Sequence, residues 1–231
     1  YGCVRIDGEV VSVAEDQPLR FRFAGAAWRV DDREPSLSRR RPERSGPFKR
    51  AFDREFILVR GTAGDQAETQ ALLDLARFHA AEWWYRANGR ALLMTDAEFL
   101  GRPDLAHNNV ILYGNADTNA AWSSVFEDGC PLQPRRGGMS FAGDFMRGAD
   151  RAAQFVHRRA GSDIALAGAF AAASPRATRL QATTAPFVSG VGIPDYLIFD
   201  SSVLAQGDDG SIVTGFWDHA WNYDAFNQTG F

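Results

Sequence analysis

The sequence predicts an α/β fold: a three-layer Rossmann-like or flavodoxin-like domain with a mostly parallel sheet, preceded by a small N-terminal β element. Three observations carry this. Short apolar runs that end in glycine, FILVRG at 56–61 and NNVILYG at 108–114, read as strands buried on both faces. Between them, residues 66–87 place apolar side chains at helical spacing. Strands alternating with helices of this length imply crossover connections, which parallel strands require.

The elements follow in order. Residues 4–13 (VRIDGEVVSV) and 19–30 (LRFRFAGAAWRV) are β-rich, with Leu19, Phe21 and Phe23 alternating against Arg20, Arg22 and Ala24. They read as two strands of a small sheet. Two strands alone are marginally stable in water, so their partners are expected upstream of Tyr1 or in the domain that follows. Residues 31–50 hold several arginines and almost nothing apolar, and read as a connector. Its Arg39, Arg40, Arg41 and Arg44 fit either an anion-binding patch or a solvated linker against an acidic surface, and the composition favours the linker. The predicted division is therefore 1–46, a β element with its connector, and 47–231, the α/β domain.

After the strand at 56–61, Asp65 is placed to cap a helix with Leu72, Leu75, Ala76, His79 and Trp83 on one stripe, ending at Asn88-Gly89. A strand at 90–96, a loop at 97–107 and the strand at 108–114 follow, then a helix from about Thr118 to Phe126. Residues 152–159 and 163–170, separated by Ala160-Gly161-Ser162, read as a hairpin that makes one edge of the sheet mixed, and 195–200 (DYLIFD) as a later strand. There is no internal repeat.

Composition bounds the function. A 231-residue chain that is 45% apolar and 23% charged can bury a substantial core. Its net charge of −4 argues against nucleic acid or an anionic membrane as the main partner. No apolar run reaches the length of a membrane span. Cys3 and Cys130 make no zinc pattern and read first as small apolar residues, with a disulfide left open. A start at Tyr1 without a methionine reads as a piece of a longer protein.

If the sheet is parallel, its carboxyl-terminal strand ends bring together Gly61-Thr62, Thr95-Asp96 and Gly114-Asn115, where ligands of such folds sit. Thr62, Asp96, Asn115, Asn119 and Ser189 are the candidate ligand-binding residues. Gly61-Thr62-Ala63-Gly64 offers backbone N–H groups to an anion, but it is not G-x-G-x-x-G and lacks a P-loop lysine, so no nucleotide or other cofactor is expected. In Gly114–Asn119 the short polar side chains also suit a turn and a helix cap without any ligand.

For nucleophilic catalysis, the turn FVSGVG around Ser189 fails G-x-S-x-G. His79 falls on a buried helical stripe, His157 in a strand and His107 in a loop. Residues 215–224 (GFWDHAWNYD) place Asp218 and His219 among aromatics. Adjacent residues seldom point the same way, so a metal site there is not expected, and an aromatic anchor explains the segment. A set of Ser189, His219 and Asp218 is the remaining catalytic alternative.

Four motifs occur in an order that carries a resemblance: RPERSGPFKRAFDREFILVRGT, NNVILYGNADTN, PFVSGVGIPDYLIFD and GFWDHAW. From about Arg40 to Trp221 the chain resembles the carboxy-terminal region of large exported bacterial proteins that carry a prolyl-oligopeptidase-type or esterase-type α/β-hydrolase domain. The resemblance implies that the catalytic serine, aspartate and histidine belong to that separate domain. It also implies a secreted or periplasmic location and a Rossmann-like accessory role for this chain, and it carries over no binding residue. The leading expectation is a non-catalytic accessory or interaction domain of an exported serine hydrolase. The alternatives are a small-molecule-binding module at the strand-end crevice and an independent hydrolase using Ser189 and His219.

Overall fold

The computed structural model describes residues 2–14, 19–34 and 36–230, which fall into two compact units, Tyr1–Ser36 and Leu37–Phe231. The division lies earlier than residue 46 because the connector's arginines are bonded inside the second unit.

In the first unit each β-rich run is a complete antiparallel hairpin rather than one strand: β1 (Gly2–Ile6) with β2 (Glu9–Val13), and β3 (Phe21–Ala24) with β4 (Ala27–Val30). The first turns at Asp7-Gly8, both at positive φ (49° and 87°), the geometry that matches the twist of paired strands. Phe23 and Trp28 meet edge to face at 5.5 Å, and Glu9 accepts a hydrogen bond from the Trp28 N–H at 2.8 Å.

The second unit is α/β, as its alternation predicts. An eight-stranded sheet contains β5 (Phe56–Arg60), β6 (Leu92–Thr95), β7 (Asn109–Tyr113), β11 (Ala152–Arg158), β12 (Leu166–Ala172), β13 (Tyr196–Phe199), β14 (Ser211–Gly215) and β15 (Gln228–Gly230). Their order is β15-β14-β13-β11-β12-β7-β5-β6. The half from β12 to β6 is parallel, and the half from β15 to β12 is antiparallel. The mixed edge signalled by the 160–162 hairpin thus extends over half of the sheet.

Helix α1 (Gln66–Ala87) forms because both of its ends are specified locally. Asp65 accepts from the Glu68 N–H at 2.9 Å while Glu68 accepts from the Asp65 N–H at 2.8 Å, and Asn88 closes the other end at φ 54°. Short helices α2 (Asp96–Leu100), α3 (Trp122–Val125), α4 (Pro175–Leu180) and α5 (Val203–Gln206) complete the helical set. The helix expected from Thr118 to Phe126 is only the single turn α3, because Asn115–Asn119 is spent on its own tight turn. A further antiparallel sheet joins β8 (Leu132–Arg135), β9 (Gly138–Phe141) and β10 (Asp144–Arg147), and was not foreseen. Its sequence signal is the pair of tight turns at Arg136-Gly137 and Ala142-Gly143, with φ of 75°, 54° and 98° at Gly137, Ala142 and Gly143.

Strand register fixes the layers. Tyr113, Phe170 and Gln154 share the face covered by α1, α4 and the 3₁₀ turn Phe48–Phe52, where His79 lies 4.2 Å from Phe170 and Phe48 lies 5.3 Å from it. Leu112, Ala169, Phe155 and Tyr196 face the other way, against Trp122, Phe126, Phe141 and Trp217. This outer layer is largely β8–β10 and the aromatic segment after β14 rather than helix.

The connector is largely exposed, Arg39 included, but two of its arginines are taken into the domain. Arg44 is fully buried and donates to the Ser162 and Leu37 carbonyls. Arg40 reaches Asp195, lies 5.3 Å from the Trp221 ring centre and donates to the Trp217 carbonyl at 2.6 Å. Cys3 is exposed and Cys130 buried, both as free thiols. No helix among the described residues is long and apolar enough to cross a membrane.

Candidate functional site

The connection from β5 through α1 leads to β6 on one side of β5, and the connection from β6 leads back to β7 on its other side. The chain therefore reverses direction between β5 and β7, and the crevice beyond their carboxyl ends is the favoured ligand position of such sheets. Four of the five predicted residues gather here: Thr62, Asp96, Asn115 and Asn119.

Their hydrogen bonds run inward. The Asp96 carboxylate accepts from Thr62 N (3.1 Å), Thr62 Oγ1 (2.5 Å), Ala97 N (3.0 Å) and Ala120 N (2.7 Å). Burial alone would raise its pKa; the hydrogen bonds from Thr62, Ala120 and Ala97 outweigh that and hold it below the usual carboxylate range. Asn119 Nδ2 donates to the carbonyls of Val59 (3.1 Å) and Tyr113 (3.0 Å), joining the ends of β5 and β7, while its Oδ1 accepts from Ala121 N at 3.0 Å. Asn115 Nδ2 donates to Ala172 O at 2.7 Å, and its Oδ1 accepts from Asp117 N and Thr118 Oγ1. Asp96, Asn115, Thr118 and Asn119 are all buried.

The backbone closes what the side chains leave. Ala63 N donates to Thr118 O at 3.1 Å, and a Cβ on Gly61 would stand 2.2 Å from that same oxygen. Glycine is required at this position because two backbone segments touch there. The space remaining beside Asn115 is a cavity of about 10 Å³, room for one water. A wider recess of about 220 Å³ lies beyond it, among Asn119, Trp122, Glu127, Gln133 and Arg135.

The glycine run 61–64 makes no anion cradle. The α1 N-terminus beside it is occupied by its own carboxylates, Asp65 and Glu68, and Glu68 is held by Arg136 through two contacts of 2.7 Å. The Arg136 hydrogen bond lowers the Glu68 pKa, so negative charge stands where a phosphate would need to sit.

Ser189 lies elsewhere, a correction to its placement at the crevice. It is exposed on the loop entering the amino-terminal end of β13, at the opposite end of the parallel strands. The nearby Lys49 Nζ donates to Val188 O at 2.7 Å. Ser189 and His219 also lie on different sides of the sheet. Phe187 packs on Trp83 and His79 of α1, whereas Trp217 and Trp221 pack on His157 from the other layer. His219 is exposed, and its backbone carbonyl accepts from Arg40 N. Asp218 accepts from Ala220 N (2.7 Å) and Asn222 N (2.8 Å) and so organises its own turn. The structure does not assemble Ser189, His219 and Asp218 into a triad. Among the described residues no cluster of three or more His, Cys, Asp or Glu side chains could hold a metal ion.

Sequence reading missed the pair Arg40–Asp195. Asp195 is fully buried and bound by Arg40 Nη1 (2.7 Å) and Trp217 N (2.9 Å). Burial pushes its carboxyl pKa up, against the opposing charge of Arg40. Two further histidines, His79 and His157, are buried in the core, whereas His107 is exposed on its loop. His79 Nδ1 lies 3.1 Å from Tyr113 Oη and burial lowers its pKa to about 3; His157 Nε2 lies 3.0 Å from Trp221 O and burial lowers its pKa to about 4.

No protein-family model matches the chain, and comparison with curated proteins gives no match either.

Proposed function

We propose that this chain is a non-catalytic accessory or interaction domain of an exported serine hydrolase, a peptidase or an esterase. In this reading it packs on the catalytic α/β-hydrolase domain or limits access to it. The observation that carries the reading is the closed switch point: Asp96, Asn115 and Asn119 spend their polar atoms on the protein's own backbone. A crevice whose polar side chains are spent in this way supports a structural use of the fold. The four motifs that resemble hydrolase-associated regions supply the partner and the exported location.

Support for packing comes from α1, whose outer surface presents Phe78, Trp84 and Tyr85 to solvent at 43, 66 and 76% exposure. Phe78 and Tyr85 are seven residues apart and so share a stripe. Exposed aromatics grouped on one helix suit a protein interface. Ligand binding by Thr62, Asp96, Asn115 and Asn119 is disfavoured by the same inward bonds.

The test is an assay of the purified chain on p-nitrophenyl esters and peptide anilides. The expected result is no turnover above the buffer rate. Turnover that disappears in Ser189→Ala would overturn the reading.

A further inference from the structure

Helix α1 carries apolar side chains on two faces. Leu72, Leu75, Ala76 and His79 enter the core, while a second stripe made by Arg77, Phe78, Ala81, Trp84 and Tyr85 faces solvent. At 3.6 residues per turn, these five fall within about 60° of Ala81 on either side. Phe78, Trp84 and Tyr85 keep 43, 66 and 76% of their surface in solvent, and Arg77 and Ala81 are exposed as well.

The stripe is complementary to itself. A two-fold axis through Ala81 sets a second copy of α1 antiparallel to the first, with residues equally far from 81 standing level. Phe78 then comes within one residue's rise of Tyr85 of the second copy on one side of the axis, and Arg77 equally close to its Trp84 on the other. Aromatic meets aromatic, and a guanidinium meets an indole face. Ala81 meets its own counterpart, and its small side chain lets the helix axes approach to about 8–10 Å. One turn further out Asp74 stands level with Asn88, so no like charges are opposed.

Two further observations favour this occupant. The Arg77 side chain makes no hydrogen bond or ion pair with any described residue, so it is free to lie on an indole. Tyr85 is ordered in advance: the Arg86 guanidinium lies 6.0 Å from its ring centre and is itself held by Glu82 at 2.6 Å. Side chains fixed beforehand lose less freedom on docking. The three aromatics offer roughly 400 Å² per copy. With their neighbours, two copies bury on the order of 1,000 Å², the lower bound of a specific interface.

We propose that α1 pairs with α1 of a second copy about Ala81, making a weak antiparallel homodimer. The pairing goes beyond the accessory role and does not depend on it. It concerns the chain on its own, and a catalytic domain docking on the same face competes with it.

The test is sedimentation velocity of the intact chain from about 10 µM to 1 mM, joined to disulfide trapping with oxidised glutathione in a Cys3→Ser background. The mass is expected to rise from 25.4 kDa towards twice that value. Ala81→Cys should trap a covalent dimer. Gln70→Cys should not, because that exposed position on the same stripe stands about 33 Å from its counterpart. Ala81→Glu opposes two carboxylates at the axis while keeping a strong helix former, so it should fold and stay monomeric at the highest concentration. Trp84→Ala should weaken pairing at least about tenfold. A monomer at every concentration, a dimer retained in Ala81→Glu or unweakened in Trp84→Ala, or trapping at Gln70→Cys equal to that at Ala81→Cys would each overturn the proposal.

Discussion

Arg40 Nη1 lies 2.7 Å from the Asp195 carboxylate, 155 residues further along the chain, and this carboxylate is wholly removed from solvent. The contact makes the arginine-rich connector part of the α/β domain. Removing one member of a buried ion pair leaves the other charge uncompensated, which costs more than the pair itself contributes.

Arg40→Met should therefore lower the unfolding free energy of the domain by about 3–5 kcal/mol in urea denaturation. Adding Asp195→Asn to that variant should restore part of the loss, because the asparagine Oδ1 can still accept from Trp217 N and no charge remains buried. A double variant less stable than Arg40→Met alone would contradict this account.

Asn119 ties β5 to β7 through two carbonyls, and Asp96 collects four hydrogen bonds at their ends. Asn119→Ala leaves the Val59 and Tyr113 carbonyls and the Ala121 N–H without that partner, at an expected cost of about 2–3 kcal/mol. Hydrogen exchange should show the loss as faster opening at residues 59–63 and 113–121.

The two buried histidines set an acid limit on stability. The unfolded chain takes up protons as pH falls through about 6.5, whereas folded His157 and His79 remain neutral down to about 4 and about 3. The unfolded state then binds more protons, so each histidine removes about 1.4 kcal/mol per pH unit below 6.5 until its folded pKa is reached. Urea midpoints measured at pH 7 and pH 5 should show this fall, and His79→Leu should shrink the difference. An unchanged difference in that variant would remove His79 from the account.

On the outer face of α1, Trp84→Ala and Tyr85→Ala should change stability by no more than about 0.5 kcal/mol, because both side chains are largely in solvent. In the accessory reading the same pair should weaken association with the catalytic hydrolase domain, measured by calorimetry with that domain as titrant. Unaltered association would move the interface off α1.

Local signals were legible in the sequence, and non-local ones were not. Asp65, the apolar stripe from Leu72 to His79 and Asn88 specify α1 within their own segment, and the structure places them as read. Asp7-Gly8 is an equally local signal for a hairpin, masked by the alternation that continues on both sides of it. Thr62, Asp96, Asn115 and Asn119 were correctly brought together because parallel strands fix which ends meet. That their polar atoms are consumed inside the protein depends on the Thr118 and Ala120 backbone folding over β5, which no periodicity encodes. Ser189 lies at the opposite end of the sheet from the crevice, since its loop returns to the amino-terminal end of β13, a path that local sequence does not encode. The burial of Arg44 is likewise invisible in a run of arginines and prolines.

The lengths of the strands have a consequence of their own. The strands are longest at β11 and β12, seven residues each, and shorten to four in β6 at the margin of the parallel half. A margin this short exposes few unpaired N–H and C=O groups, so another chain finds little to extend there. At that edge the taper works against edge-to-edge growth into fibres, and leaves association to side-chain surfaces instead of to the backbone.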